Sequence, residues 1–277
     1  MIHPTAIIEK GAQIADDAEI GPHCHVGPRV SIGAGTVLLS GVSIRGRTTV
    51  GRKNVFHPYC VIGGDPQDLK YRGEDSETVI GDGNTFRECV TVNKGTDVGG
   101  GRTAIGDHCM IMACAHVAHD SIIEDSCIIA NATLLGGHVT VEKHAIVSGQ
   151  VCVSHFCTIG QHAFIGGASA LNQDAPPFMI SRDVPSKVVG VNTVGLRRRG
   201  FPLETINALR ECNRILWRSG DPKPEAMARV EQEFGAVPEV QVLLGALRAS
   251  DQGRLGRARE ASRTTPVAPD PEADLME

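Results

Sequence analysis

Large aromatic side chains are scarce in this 277-residue chain, with one tryptophan, two tyrosines and seven phenylalanines. An ordinary packed core draws on more rings, so a thick globular interior is a poor fit. Long apolar runs are missing as well. No stretch reaches the roughly 18 consecutive apolar residues of a membrane span, and the N-terminus has no charged-then-apolar leader. The chain is therefore expected to be cytoplasmic, with no transmembrane segment. Positive charge is not in excess: 27 Lys and Arg stand against 32 Asp and Glu, for a net charge of −5. That balance argues against nucleic acid as the main partner. Nine cysteines are present, but none form a CxxC pair, so neither a zinc knuckle nor a disulfide framework is indicated.

What is abundant is period. From Ile2 every sixth residue is apolar: Ile8, Ile14, Ile20, Val26, Ile32, Leu38, Ile44, Val50, Phe56 and Ile62. The phase resumes at Ile80, Phe86 and Val92, and runs again from Ile105 to Leu171, in a chain that is only 41% hydrophobic. Four residues after each of these comes a mostly small side chain, among them Ala6, Ala12, Ala18, Cys24, Cys60, Cys109, Cys127 and Cys157. These cysteines read as compact apolar residues facing inward. Glycine often follows the large residue, as at Gly21, Gly33, Gly51, Gly81, Gly106 and Gly136, and is expected to supply the backbone angles of tight corners. Three hexads make one triangular turn, stacked on the next at about 4.8 Å. The fold class that follows is an all-β solenoid, a parallel β-helix over residues 1–177.

The repeat breaks twice. From Ile62 to Ile80 the in-phase residues are Asp68 and Glu74, as if one turn's worth of chain had left the coil as a polar loop over about 64–78. From Val92 to Ile105 the phase slips by one around Gly99, Gly100 and Gly101, which marks a second loop at about 94–104. Loops leaving a rigid scaffold commonly carry function. After Pro176 and Pro177 the hexads stop. An amphipathic helix is expected over 202–218 and a second helical region over 223–250, interrupted near Gly235–Pro238. Residues 178–258 thus read as a linker and α-helical domain. The last stretch, 259–277, is polar, rich in proline and acidic at its end, and reads as disordered.

The three-hexad turn also sorts the eleven histidines. Most, including His144 and His162, fall on outward or corner positions and read as solvated surface. His119, Gly137 and His155 follow one another at intervals of three hexads, and His138 follows Gly137, so these segments stack along one edge of the prism. The choice there is between a ladder of surface imidazoles and a reactive cleft. A three-histidine zinc set, as in the β-helical carbonic anhydrases, needs a third histidine near position 160, which is glycine, so no metal site is expected. Asp120, next to His119, suits general-base chemistry, because a carboxylate can fix an imidazole's tautomer.

Several segments carry a more specific resemblance. Gln67-Asp68-Leu69-Lys70-Tyr71, His116-Val117-Ala118-His119-Asp120, Gly137-His138-Val139, and Gly190-Val191-Asn192 through Arg198-Arg199-Gly200-Phe201 resemble the UDP-N-acetylglucosamine acyltransferases that begin lipid A, and hence lipopolysaccharide, biosynthesis. These belong to the hexapeptide-repeat acyltransferase superfamily, and the resemblance runs from about residue 2 to 220. It implies a left-handed coil, a hand opposite to the general crossover rule. It also implies a homotrimer with sites in the clefts between coils. The reaction implied is transfer of a 3-hydroxyacyl group from acyl carrier protein to the 3-hydroxyl of UDP-N-acetylglucosamine, with no cofactor.

By the same resemblance His119 matches the general base, Asp120 its orienting acid, and Gly137 the backbone N–H that stabilises the thioester oxyanion. Asp68, Lys70 and His138 match sugar-nucleotide contacts, and His116 and His155 match positions bordering the substrate. Asn192, Arg198 and Arg199 match nucleotide or pantetheine-phosphate contacts. Gly167 matches the floor of the acyl pocket, where glycine leaves room for a long chain. Two places depart from the family's pattern: Ser154-His155 stands where a His-Gln pair is usual, and Val194 stands where a glutamate is usual. An acceptor with a 3-amino group, giving an amide instead of an ester, therefore stays open.

Overall fold

The computed structural model describes residues 1–254. The expected disordered tail, 259–277, lies outside the described residues. From the N-terminus to residue 171 the chain winds through three faces, each a ladder of mostly two-residue strands. The first face holds nine strands, from Ile7–Ile8 to Ala170–Leu171. The second holds eight, from Gln13–Ile14 to Thr158–Ile159. The third begins at Glu19–Ile20 and runs to Phe164–Ile165. Every pairing inside the coil is parallel, and the usual register is three hexads, as in Ile7 with His25 and Ile128 with Ile146.

The sequence dictates this shape simply. In each hexad the large residue points in and its predecessor points out, which leaves room for only a short flat strand before the next corner. Ile20, Leu38, Ile44, Ile62, Ile111 and Ile129 are all at most 2% exposed. Phe56 and Phe86 meet inside the coil as a stacked pair, centroids 4.6 Å apart. Cys24, Cys60, Cys109, Cys127 and Cys157 are buried free thiols, and burial pushes the Cys60 thiol up to about 12. Asn54 and Asn84 sit in the small inward place and satisfy themselves as a ladder. Asn54 Oδ1 accepts from the Asn84 N–H at 2.9 Å, and Asn84 Oδ1 from the Cys109 N–H at 2.6 Å.

The glycines do something other than expected. The left-handed backbone falls three residues after the large one, at residues such as His23, Tyr59, Cys89, Asp120, His138 and Phe156, with φ between 57° and 66°. The glycine directly after the large residue is there for close approach. A Cβ on Gly33 would lie 2.5 Å from the carbonyl oxygen of Gly51 in the next turn. So the corners tolerate non-glycine residues in αL alongside Gly35, Gly41 and Gly83, and the glycine directly after the large residue is spent where two turns touch.

Register measures the loops. Ile62 pairs with Val92, five hexads on instead of three, so this turn carries two extra hexads. It is not a whole extra turn, because the strand Glu77–Ile80 stays in the coil on the second face. Val92 pairs with Val117, four hexads and a single residue on, so the next turn carries one extra hexad and the one-residue slip. Loop 1 (residues 65–76) and loop 2 (residues 94–101) both leave the corner between the first and second faces.

Beyond the hexads, the third face gains a hairpin that the six-residue period does not announce. Met179–Arg182 joins the coil in parallel, and Lys187–Val191 returns antiparallel to it. Four helices follow: α1 (Thr193–Arg198), α2 (Leu203–Arg218), α3 (Lys223–Phe234) and α4 (Pro238–Asp251). Their apolar faces close a second core around Phe178, Met179, Leu196, Ile206, Leu209 and Leu244. Among the described residues no helix is long and apolar enough to cross a membrane.

Candidate active site

The corner between the first and second faces gathers most of the candidate residues. His119, Gly137 and His155 each stand two residues after a large inward residue, on successive turns. Pro28 fills that same place at this corner in an earlier turn, and proline has no N–H, so the coil does not depend on a backbone donor at this corner. At the neighbouring corner the equivalent N–H groups bind carboxylates instead. Arg52 donates to Asp82, Asp82 to Asp107, Asp107 to Asp125, Lys143 to Glu124 and Gln161 to Glu142, all at 2.6–2.9 Å. Among the described residues nothing accepts from the N–H of Gly137. The coil thus presents, at this corner, a donor of the type that binds anionic oxygen elsewhere in the same molecule.

His119 is 9% exposed, and Asp120 beside it is buried. Their contact is Nδ1 to Oδ2 at 2.8 Å. A carboxylate accepts, so Nδ1 carries the proton and Nε2 turns outward as the basic nitrogen. Asp120 is held on every side. Thr96 donates its N–H to Oδ1 at 2.7 Å and its hydroxyl to Oδ2 at 2.6 Å, while the Asp120 N–H donates to Thr103 Oγ1 at 2.8 Å. Burial alone would raise its pKa, but the donors His119 and Thr96 outweigh that and hold the carboxyl below its ordinary range.

Around this pair the other rings are ordered. His138 meets His119 edge-on at 5.1 Å and stacks flat on Phe156 at 4.3 Å. His155 is exposed and meets Phe156 edge-on at 5.6 Å. His116, on the first face, places Nδ1 2.7 Å from Thr91 Oγ1. Burial and the neighbouring His119 push its pKa down, which favours the neutral ring. Loop 1 reaches over the edge to bring Asp68 Oδ2 within 3.9 Å of His119 Nε2. Lys70 follows on the same loop with an exposed side chain, its N–H donating to Asp68 Oδ1 at 2.9 Å.

Ligating atoms of His119, Asp120 and His138 lie within 4.8 Å of one another, a spacing compatible with a metal. Both Asp120 oxygens, however, already accept from Thr96 and His119, and His119 Nδ1 must keep its proton to donate. The cluster is arranged to orient an imidazole, not to bind a cation.

The remaining candidates lie elsewhere on the chain. Gly167 is at the corner between the third and first faces, with space beside it: an added Cβ would come no closer than 3.4 Å to another atom. Asn192 is buried and caps α1, accepting from the Gly195 N–H at 3.1 Å and donating to His162 O at 2.9 Å. Arg198 is exposed, and Arg199 donates to His144 Nδ1 at 2.8 Å, at the corner between the second and third faces. In one chain, then, the candidates divide among all three corners. His162, expected on solvated surface, is 8% exposed under Phe178 and Phe201, and burial pushes its pKa down to about 4. Period alone does not reveal that the helical region covers it. Thr96 and Lys94 also escape notice in the sequence, because both stand in or beside a loop that is out of phase.

Comparison with known proteins agrees with this architecture. The family model "Udp N-acetylglucosamine O-acyltransferase; Domain 2" matches residues 174–255, and that for bacterial transferase hexapeptide repeats matches 102–137. The UDP-N-acetylglucosamine acyltransferase of Bacteroides fragilis is 37% identical, covering 91% of this chain and 98% of its own, with a TM-score of 0.88. That of Francisella novicida is 34% identical over 97% of this chain and 100% of its own, at 0.86. The UDP-N-acetylglucosamine O-acyltransferase of Moraxella catarrhalis is 40% identical over 90% and 97%, at 0.87. With identity at this level along nearly the whole of each relative, and with the coil and C-terminal helices in common, the chain belongs to the UDP-N-acetylglucosamine acyltransferase family and is an acyltransferase built on a left-handed parallel β-helix.

Proposed function

We propose that the chain transfers a 3-hydroxyacyl group from acyl carrier protein to the 3-hydroxyl of UDP-N-acetylglucosamine, the first step of lipid A biosynthesis, in the cytoplasm. The observation that carries the mechanism is the joint placement of an oriented base and an untaken N–H, His119 and Gly137, on consecutive turns of one corner. Asp120 accepts from His119 Nδ1–H and leaves Nε2 as the base. Nε2 takes the proton of the acceptor hydroxyl as its oxygen attacks the thioester carbonyl carbon. The Gly137 N–H donates to the resulting oxyanion. Collapse breaks the carbon–sulfur bond, and the leaving thiolate takes the proton back from His119. No group on the protein is acylated.

Asp68, Lys70, His116, His138 and His155 border the acceptor in this reading. Gly167, Asn192, Arg198 and Arg199 belong to the acyl pocket and to phosphate contacts. Their positions on other corners favour a homotrimer in which adjacent coils share each site, since a second copy's corner can approach where the same chain's cannot. The helical region after residue 177 serves donor recognition.

A 3-amino sugar nucleotide is the second reading, favoured by His155 and Val194, where the chain departs from the pattern that the resemblance implies. Purified protein is to be supplied with 3-hydroxyacyl carrier protein and either UDP-N-acetylglucosamine or its 3-amino analogue. The expected product is the ester of the first; an amide from the second alone overturns the assignment.

A further inference from the structure

Loop 2 touches both the dyad and loop 1. On one side Thr96 supplies two of the donors that hold Asp120, and a Cβ on Gly99 would fall directly on the Asp120 carboxylate. The loop is thus pressed against that side chain with no room to spare. On the other side, the two residues before the loop's turn grip the start of loop 1. Asn93 Nδ2 donates to Asp65 O at 2.8 Å, and the Lys94 N–H donates to Gly64 O at 2.9 Å. Lys94 Nζ is 3.1 Å from Asp65 Oδ1 and 5.0 Å from the centroid of the Tyr71 ring. Lys94 is only 6% exposed, unusual for lysine. Burial works against its charge, but Tyr71 and Asp65 outweigh it and raise its pKa above the ordinary lysine value. Loop 1 in turn carries Asp68 to within 3.9 Å of His119 Nε2.

We infer that residues 93–99 form a two-sided positioning element, in which Lys94 and Asn93 set the acceptor-binding loop while Thr96 sets the His119–Asp120 pair. This rests on the reading of His119 as base and loop 1 as acceptor contact. Neither Lys94 nor Thr96 touches the reacting atoms; each acts through another residue. A short insertion thereby keys the substrate loop and the proton acceptor to one rigid turn of coil.

The two sides separate kinetically. Lys94→Met is expected to raise the acceptor KM about tenfold and leave kcat within a few-fold, because loop 1 is loosened while Thr96 still holds Asp120. Thr96→Val is expected to lower kcat about tenfold with little change in acceptor KM. Its pH profile moves too. The dyad faces His138, 3.8 Å from Asp120 Oδ2, and through His119 it faces Asp68 and His116. With those groups unchanged, losing the Thr96 hydroxyl leaves the carboxylate less stabilised, so the pair takes up its proton at higher pH. The acidic limb of kcat/KM then moves to higher pH. Thr96→Ser restores both kcat and the limb.

If both variants change KM and kcat in the same proportion, with an unshifted limb, the inference fails. It fails equally if Thr96→Ser does not rescue. NMR titration of the His119 imidazole in the free enzyme, wild type against Thr96→Val, reads the same displacement without turnover. No transfer by the wild type defeats the proposed reaction alone, while an unmoved His119 titration defeats the positioning role alone.

Discussion

Replacing His119 by alanine is expected to lower turnover by about three to four orders of magnitude, the upper range for a positioned general base. The loss follows from one ring. His119 Nε2 is the outward basic nitrogen at the corner, and its orientation comes from a 2.8 Å contact with a buried carboxylate. Nearby imidazoles cannot substitute easily: His138 is stacked on Phe156, and His116 is paired with Thr91. The fold should survive the change, because Asp120 keeps both donors from Thr96 and its own N–H bond to Thr103. No buried charge is orphaned, so a large stability cost is not expected. Steady-state assays with light scattering on the same sample check both halves. Activity near the wild-type level would remove His119 from the mechanism.

Gly137→Ala is expected to be nearly as damaging, with kcat down by about two to three orders of magnitude, the cost of losing an oxyanion donor or displacing a base. A Cβ at Gly137 would lie 2.6 Å from Cε1 and 2.7 Å from Nε2 of His119. Those distances are too short for any real contact, so the ring must swing off the Asp120 carboxylate or the corner must open. Either movement separates base from oxyanion donor. The nearest atoms belong to a side chain and not to the coil backbone, which distinguishes this site from Gly33. Thermal unfolding close to wild type is therefore expected alongside the loss of kcat. A variant that kept its kcat within a few-fold would show that the corner tolerates a methyl group and that Gly137 is not placed as argued.

The architecture is largely legible in the sequence because a single period, six, controls it. Each in-phase apolar residue has one inward role, and the stacking of His119, Gly137 and His155 follows from three times that period. The same logic puts five cysteines inside. What is not legible lies where the period gives no information. The hairpin after residue 178 is antiparallel and packs under helices, so no hexad marks it. Thr96 reaches Asp120 from an insertion whose path depends on Gly99 fitting against the carboxylate, a tertiary fact. The glycines depart from expectation because six-residue spacing does not tell a left-handed corner from a close contact between turns. The division of Gly167, Asn192, Arg198 and Arg199 among other corners becomes visible only in three dimensions, and it turns a set of matching residues into a reason for copies of the chain to share a site.

Direct transfer from donor to acceptor, activated by His119 and stabilised at Gly137, requires that no acyl group ever rest on the protein. Cys89, Cys114 and Cys152 are exposed thiols and supply the natural competitors. The direct measurement is intact mass of the 29.4 kDa chain after rapid mixing with 3-hydroxyacyl carrier protein alone, followed by addition of UDP-N-acetylglucosamine. One-step transfer predicts an unmodified chain and no release of free carrier thiol until the sugar nucleotide arrives, then one thiol per product. An acylated chain that forms before the acceptor is added, and that disappears as product appears, would contradict it.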